Sequence, residues 1–216
     1  MGQYYKPVSI DKMEYLYSHN FGSGLKLMEH SYIGNDFVRV VERLLSPKGA
    51  WYKTRFCWSG DYMDEGLFVP TGYKFYIEEE KKYKHTLYSY VGEEGKNSIE
   101  GVDKIDDTVS YDERYKIHKE MAKKFIKTLP KAGKFLVNHT RKVCLDLSKE
   151  EKHTYDKNWK VAIHPLPLLT CSGNGRGGGD YRGNQIELLG TWAGDVISME
   201  HKPMYRILKP CNFIEA

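Results

Sequence analysis

The sequence predicts an α+β protein: a largely antiparallel sheet with two main helices packed on one face. Three features carry that prediction. Runs of alternating apolar and polar residues stand at both ends of the chain, and two segments with helical periodicity lie between them. No period of about 20 to 50 residues is present that would make a solenoid or a propeller. At 216 residues one domain over 1–216 is expected, since such a chain buries roughly 70% of its unfolded surface and needs no staple.

The elements follow in order. YYKPVSI at 4–10 is an extended segment, and Pro7 suggests an edge because proline donates nothing to a ladder. From Asn35 the pattern turns helical, with Phe37, Val38, Val40, Val41, Leu44 and Leu45 on one face and Arg39, Glu42 and Arg43 opposite, until Pro47 and Gly49 end it. WYKTRFCW at 51–58 alternates as a half-buried strand and stops at Ser59, Gly60 and Asp61. Residues 76–104 read as a charged, mobile insertion holding one short strand, TLYSYV at 86–91.

Ser110 and Glu113 have capping-box spacing, and Tyr115, His118, Met121, Ala122, Phe125, Ile126 and Leu129 follow at helical intervals up to Pro130. The other face of this second helix carries Lys116, Lys119, Lys123, Lys124 and Lys127, the composition of a solvated face. KFLVNH and VCLDL are two short strands. WKVAIHPLPLLT at 159–170 reads as a strand that leaves the sheet at its two prolines. The stretch 186–199 reads as a hairpin, IELLGTW and VISME, turning through Ala193, Gly194 and Asp195.

Composition narrows the class. Hydrophobic residues make up 40% and charged residues 29%, ordinary globular usage that suggests neither disorder nor a membrane protein. The 17 tyrosines against 8 phenylalanines imply half-buried, wet surfaces of the kind that touch a partner. A net charge of +4 tilts slightly toward nucleic acid or an acidic partner. Cys57, Cys144, Cys171 and Cys211 form no CxxC pair and read as reduced, buried thiols of a cytoplasmic protein. MGQYYKPVSIDK has no apolar core of a signal peptide, and Lys6 spoils the myristoylation pattern that Gly2 opens.

The most distinctive stretch is CSGNGRGGGDYRG. Gly173, Gly175 and Gly178 satisfy GxGxxG, but no helix is expected to follow them, so a dinucleotide site is not supported, and no Gly-Lys-Ser or Gly-Lys-Thr makes a P-loop. An anion site remains open: Gly173, Gly175, Gly177, Gly178 and Gly179 can expose backbone amides in a nest, and Arg176 and Arg182 flank them with forked donors. A plain surface loop, or an RGG-like segment touching RNA, stands beside it. An echo accompanies this stretch, in which Trp58 to Asp61 and Trp192 to Asp195 share the form Trp-small-Gly-Asp, and Asp180 and Tyr181 repeat the Gly-Asp-Tyr of Asp61. Such turns are ordinary structure, since glycine supplies positive φ and aspartate caps. Alternatively Trp58, Asp61, Asp180, Tyr181, Trp192 and Asp195 share one rim, with Asp64 beside them, and hold Mg²⁺ against phosphate. No histidine pair has zinc spacing, and no GxSxG is present.

MGQYYKPVSIDK, GLKLMEHSYIGNDFV, WSGDY, HPLPLLT with GNGRGGGDY, and LLGTWAGDVIS together resemble an uncharacterised family of bacterial, mobile-element and phage proteins that open with MGQYY. The resemblance spans almost the whole chain and carries no activity or catalytic residue across. It implies an accessory, anti-defence context in which small proteins bind or inhibit another machine. Two readings follow. The first is a binding protein without cofactor that engages nucleic acid, a nucleoprotein or defence complex, or another protein partner, and no membrane. The second is a metal-dependent enzyme acting on a nucleotide or phosphodiester.

Overall fold

A computed structural model describes residues 3–64, 67–69, 75–77, 82–84, 87–88, 91, 94–100, 108–150, 161–173 and 178–215. The chain runs through β1 (Tyr5–Ser9), β2 (Glu14–Tyr15), α1 (Leu27–His30), α2 (Asp36–Leu44), β3 (Thr54–Gly60), β4 (Phe75–Ile77), β5 (Lys82–Lys84) and β6 (Lys96–Asn97). It continues through α3 (Tyr111–Thr128), β7 (Phe135–Asn138), β8 (Val143–Asp146), β9 (Val161–Ile163), α4 (Pro165–Thr170), β10 (Cys171–Ser172), β11 (Val196–Glu200), β12 (Arg206–Ile207) and β13 (Phe213–Glu215). The main sheet has the order β12-β8-β7-β11-β3-β1-β2-β6, with β10 added alongside β3. Most pairs are antiparallel; β10 with β3, β12 with β8 and β2 with β6 are parallel. The α+β class and the largely antiparallel sheet are as the sequence predicts.

Alternation sorts the two faces of the sheet. Tyr5, Phe56, Trp58, Leu136, Leu145, Ile197 and Met199 point to one face, where they bury against Phe37, Val38, Val41 and Leu44 of α2, Ala122 of α3 and Leu166, Leu168 and Leu169 of α4. Their neighbours Val8, Ile10 and Cys57 point the other way into a second cluster with Met63, Leu87 and Val91. Both long helices therefore cover the same face, and Arg43 Nη1 of α2 donates to the Ile126 carbonyl of α3 at 3.2 Å.

Local chemistry sets the helix ends. The Asn35 side chain accepts from the Phe37 amide at 2.8 Å and starts α2. Ser110 does the same for the Glu113 amide at the start of α3, and that helix ends before Pro130. Ala122 is the single fully buried residue of α3, while Met121, Phe125 and Ile126 pack partly against the core. The helix lies on the molecule more than in it.

Four expectations need correction. β1 is an interior strand, paired with both β2 and β3. Its even residues face β3, as the bond from the Ile10 amide to the Arg55 carbonyl at 2.9 Å fixes, so Pro7 turns its missing donor to the other side, beyond the end of the two-residue pairing with β2. HPLPLL forms α4: His164 is the N-cap and accepts from the Leu166 amide at 3.1 Å, and Pro165 takes the first helical position, where no amide is needed. The first arm of the expected 186–199 hairpin is a 3-10 turn at Ile186–Leu188 followed by turns, and β11 pairs with β7 and β3 instead. Leu87, Tyr88 and Val91 are helical, which the i, i+4 spacing of the two buried residues Leu87 and Val91 explains. Those two residues are core, so the 76–104 segment is anchored there; much of the rest of it lies outside the described residues.

Among the described residues no helix is long and apolar enough to cross a membrane. All four cysteines are free and buried. Asn35→Ala removes the cap that starts α2, the better buried of the two long helices, and thermal or urea unfolding should register a loss of about 1 kcal/mol with the fold retained.

Candidate functional site

The glycine-rich turn leaves the sheet where β10 ends beside β3. Gly173 lies against Gln3 and the Tyr5 hydroxyl, and Gly179, at φ +59°, lies against the Tyr5 ring. A Cβ at either position would collide with these groups, so glycine is needed here for close approach. Both ends of the loop therefore rest on one aromatic side chain. The Tyr5 hydroxyl donates to Gln3 Oε1. Burial, then the nearby Cys171, Asp180 and Asp61, push that hydroxyl far above the usual phenol range, and it stays protonated.

Gly178 packs on Leu189. Asp180 Oδ1 accepts from the Met28 amide at 3.1 Å and ties the turn to the first turn of α1. Tyr181 is buried, with its ring edge-on to Phe213 and its hydroxyl near the Asn184 carbonyl at 2.8 Å. Arg182 bends back, its Nη1 donating to the Tyr181 carbonyl at 3.0 Å and the Gly179 carbonyl at 3.2 Å. The described part of the turn thus directs its polar groups inward. Gly175, Arg176 and Gly177 lie outside the described residues. A cavity of about 600 Å³ beside Gly173 is lined by Asp64 and Glu187 together with Leu67, Phe68, Ile186 and Leu189.

The two tryptophan corners sit at opposite ends of β3. Asp61 follows its last residue and closes a bridge with Tyr4, its amide donating to the Tyr4 carbonyl at 3.0 Å and its Oδ1 accepting from the Tyr4 amide at 3.1 Å. Asp195 stands beside the strand's start, where its carbonyl accepts from the Phe56 amide at 3.0 Å. Five residues of strand separate Phe56 from Asp61, roughly 17 Å. Asp195 Oδ2 is held by Arg141 Nε at 2.7 Å and Asn138 Nδ2 at 2.8 Å. The shared rim is therefore corrected: Asp61 and Asp180 gather at Tyr5, and Asp195 does not join them. Among the described residues no group of three His, Cys, Asp or Glu side chains is placed to hold a metal ion, so the carboxylate set imagined around Mg²⁺ does not assemble.

Trp58 and Trp192 are buried. Trp58 Nε1 donates to His30 Nε2 at 3.0 Å, the two rings stack at 5.7 Å, and His30 Nδ1 donates to the Gly24 carbonyl at 2.9 Å. Both imidazole nitrogens are thereby satisfied in the neutral tautomer, and burial lowers the His30 pKa to about 4. On the opposite face, Ser198 Oγ donates to Glu200 Oε1 at 2.9 Å and lies 2.8 Å from His139 Nε2. The serine is central in this chain, whereas a nucleophilic triad places the imidazole between serine and carboxylate.

One arrangement escaped sequence reading. His164, the cap of α4, turns Nε2 to Glu42 Oε1 of α2 at 3.0 Å. The pair lies at a cavity of about 430 Å³ whose walls include Ile33, Val38, Leu147 and Pro165. The two residues are 122 positions apart, and only the spacing of Asn35, Val38, Arg39 and Glu42 along one stripe of α2 hinted at a common face.

Comparison with protein-family models, with curated proteins and with solved structures gives no match. The site is read from its own chemistry.

Two outcomes follow from these contacts. Asp180→Ala, which removes the acceptor for the Met28 amide, should cost about 1 kcal/mol of stability in denaturant titration, as expected of a turn former. Because His30 is held neutral in the fold and protonates more readily when unfolded, the unfolded state binds the extra proton between pH 6.5 and about 4. The contribution is fully present above that window and lost as pH falls through it. Melting temperature should drop across the window, and His30→Gln should flatten that limb.

Proposed function

We propose that this chain is a binding protein for nucleic acid or a nucleoprotein complex, of the accessory, anti-defence kind that the MGQYY resemblance suggests, and that α3 is the element making the contact. The observation that carries this reading is the outer face of α3. Lys116, Lys119, Lys123, Lys124 and Lys127 are all exposed on a helix that buries Ala122 alone, and from Lys116 to Lys127 the helix rises about 16 Å. Glu120 offsets one of them through Lys123 at 2.6 Å. At the near end Tyr111 is 72% exposed, a ring open for stacking on a base.

A row of ammonium groups at one-turn intervals neutralises successive phosphates and releases their counterions. Such contacts position a duplex or strand without reading its sequence. Tyr115 of α3 meets Gly22, the loop after Gly22 leads into α1, and Asp180 fastens the glycine-rich turn to α1, so α3 and that turn are joined by short packed steps.

Binding of a labelled oligonucleotide, measured from low to physiological salt, should weaken steeply. Replacing Lys116, Lys124 and Lys127 together by Gln should lessen the slope of log K on log salt by about one per lysine, whereas Lys202→Gln, on another exposed segment, should leave it alone. Absence of binding to every oligonucleotide at low salt, or a slope indifferent to the α3 lysines, overturns the reading.

A further inference from the structure

We infer that the cavity between α2 and the His164 corner is a binding site for an organic cation with an aliphatic stem, an alkylammonium or alkylguanidinium group. This site is separate from α3 and does not depend on the nucleic-acid reading.

Its size falls in the range of small-ligand pockets, about 300 to 1,000 Å³. Its walls are apolar where Ile33, Val38, Leu147 and Pro165 stand. Its largely buried charged groups are two carboxylates, Glu42 and Glu150, with the Arg39 guanidinium at the exposed side. His164 Nδ1 accepts from the Leu166 amide at 3.1 Å, which places the ring proton on Nε2, where it is donated to Glu42 Oε1 at 3.0 Å. Both imidazole nitrogens are used, so His164 offers the cavity neither a base nor a free donor. It orients Glu42.

The Glu42 side chain is 13% exposed, and among the described residues His164 is the one hydrogen-bond partner of its carboxylate. A carboxylate can accept about four hydrogen bonds, so most of the capacity of this one is unused. The second acid, Glu150, is 4% exposed and spends its oxygens on the Cys211 amide at 3.0 Å and the Asn212 amide at 2.7 Å. It contributes charge without competing for the ligand. Arg39 stands at the lip with a side chain 60% exposed and engaged by Asp36 at 3.3 Å. Two largely buried carboxylates therefore face one solvated, already paired guanidinium. A cationic head placed against Glu42 completes its hydrogen bonding, while the stem displaces water from the apolar walls.

The same chemistry comes either from a free amine or from a lysine or arginine side chain of another protein, and the probes separate them. The purified chain is titrated with n-butylammonium, n-butylguanidinium and N-acetyl-lysine methylamide, with n-butanol and butyrate as uncharged and anionic controls, and followed by amide shifts of Gly34, Glu42 and His164. Binding of the cations but not of the controls is expected. Response to the capped lysine as well as to butylammonium marks a site open to a side chain; response to the small cations alone marks a site for a free amine. Glu42→Gln keeps an acceptor for His164 and should weaken the cations at least about tenfold. Arg39→Ala, at an exposed position that leaves folding intact, should strengthen them roughly two- to fivefold by removing a like charge. Equal response to butanol, indifference to Glu42→Gln, or weakening by Arg39→Ala overturns the proposal, the last pointing to an anion site.

Discussion

The Tyr5 ring, gripped between Gly173 and Gly179, is the contact on which the rest of this end of the molecule depends. Tyr5 opens the interior strand β1, whose partner β3 ends at Gly60 directly across from it. The same ring receives both arms of the glycine-rich turn, and Asp180 passes the constraint on to α1 through the Met28 amide. One aromatic side chain thus fixes two strands, a turn and a short helix relative to one another. The glycines are required because a backbone can approach a ring this closely only where there is no Cβ. At Gly173 and Gly179 the turn is therefore shaped by its packing on the buried ring. α3, by contrast, is weakly buried, which leaves its lysines in solvent.

β3 plays a complementary part. Five of its seven residues, Phe56 to Gly60, pair with β1 along one edge, and the strand pairs with β11 at the start and β10 at the end of the other. The strand therefore joins the two halves of the sheet, and its length keeps their corners apart. Asp61 and Asp195 echo each other in sequence because both close turns beside the ends of one strand. Echoed motifs of this kind reflect equivalent positions in a ladder and need not share a site. The buried His30 and Trp58 pair lies beneath the same strand, fully satisfied and neutral, and acts as packing.

What could be read from the sequence was governed by the range of the interaction. α2 and α3 were legible because Asn35 and Ser110 cap them locally and apolar residues repeat at helical spacing. β7 and β8 were legible as two alternating runs a short turn apart. The edge reading of Pro7 failed because it rests on which side of the strand the missing donor faces, and that is set by the distant β2 and β3. HPLPLL has the look of a broken strand because two prolines interrupt a ladder, yet the first of them also suits the opening position of a helix whose cap is a histidine. IELLGTW has the composition of a strand, yet its amides at Gly190 and Trp192 are taken by the Leu168 and Leu169 carbonyls of α4, which draws the segment away from any ladder. The Glu42 and His164 pair was invisible for the same reason as the separation of the carboxylates: both are products of tertiary register.

That pair bears on how stability and function are divided here. A carboxylate removed from water is costly unless its acceptor sites are filled, and folded proteins fill them nearly everywhere. Glu150 follows the rule, with two backbone amides on its two oxygens. Glu42 departs from it, with a single donor among the described residues, at a cavity whose other walls include Ile33, Val38, Leu147 and Pro165. An apolar residue of similar length on that stripe of α2 would pack against Val38 and Leu147 with no desolvation cost. The acid is better explained by what it does for a ligand than by what it does for the fold, because the free energy withheld from folding is the free energy available for binding.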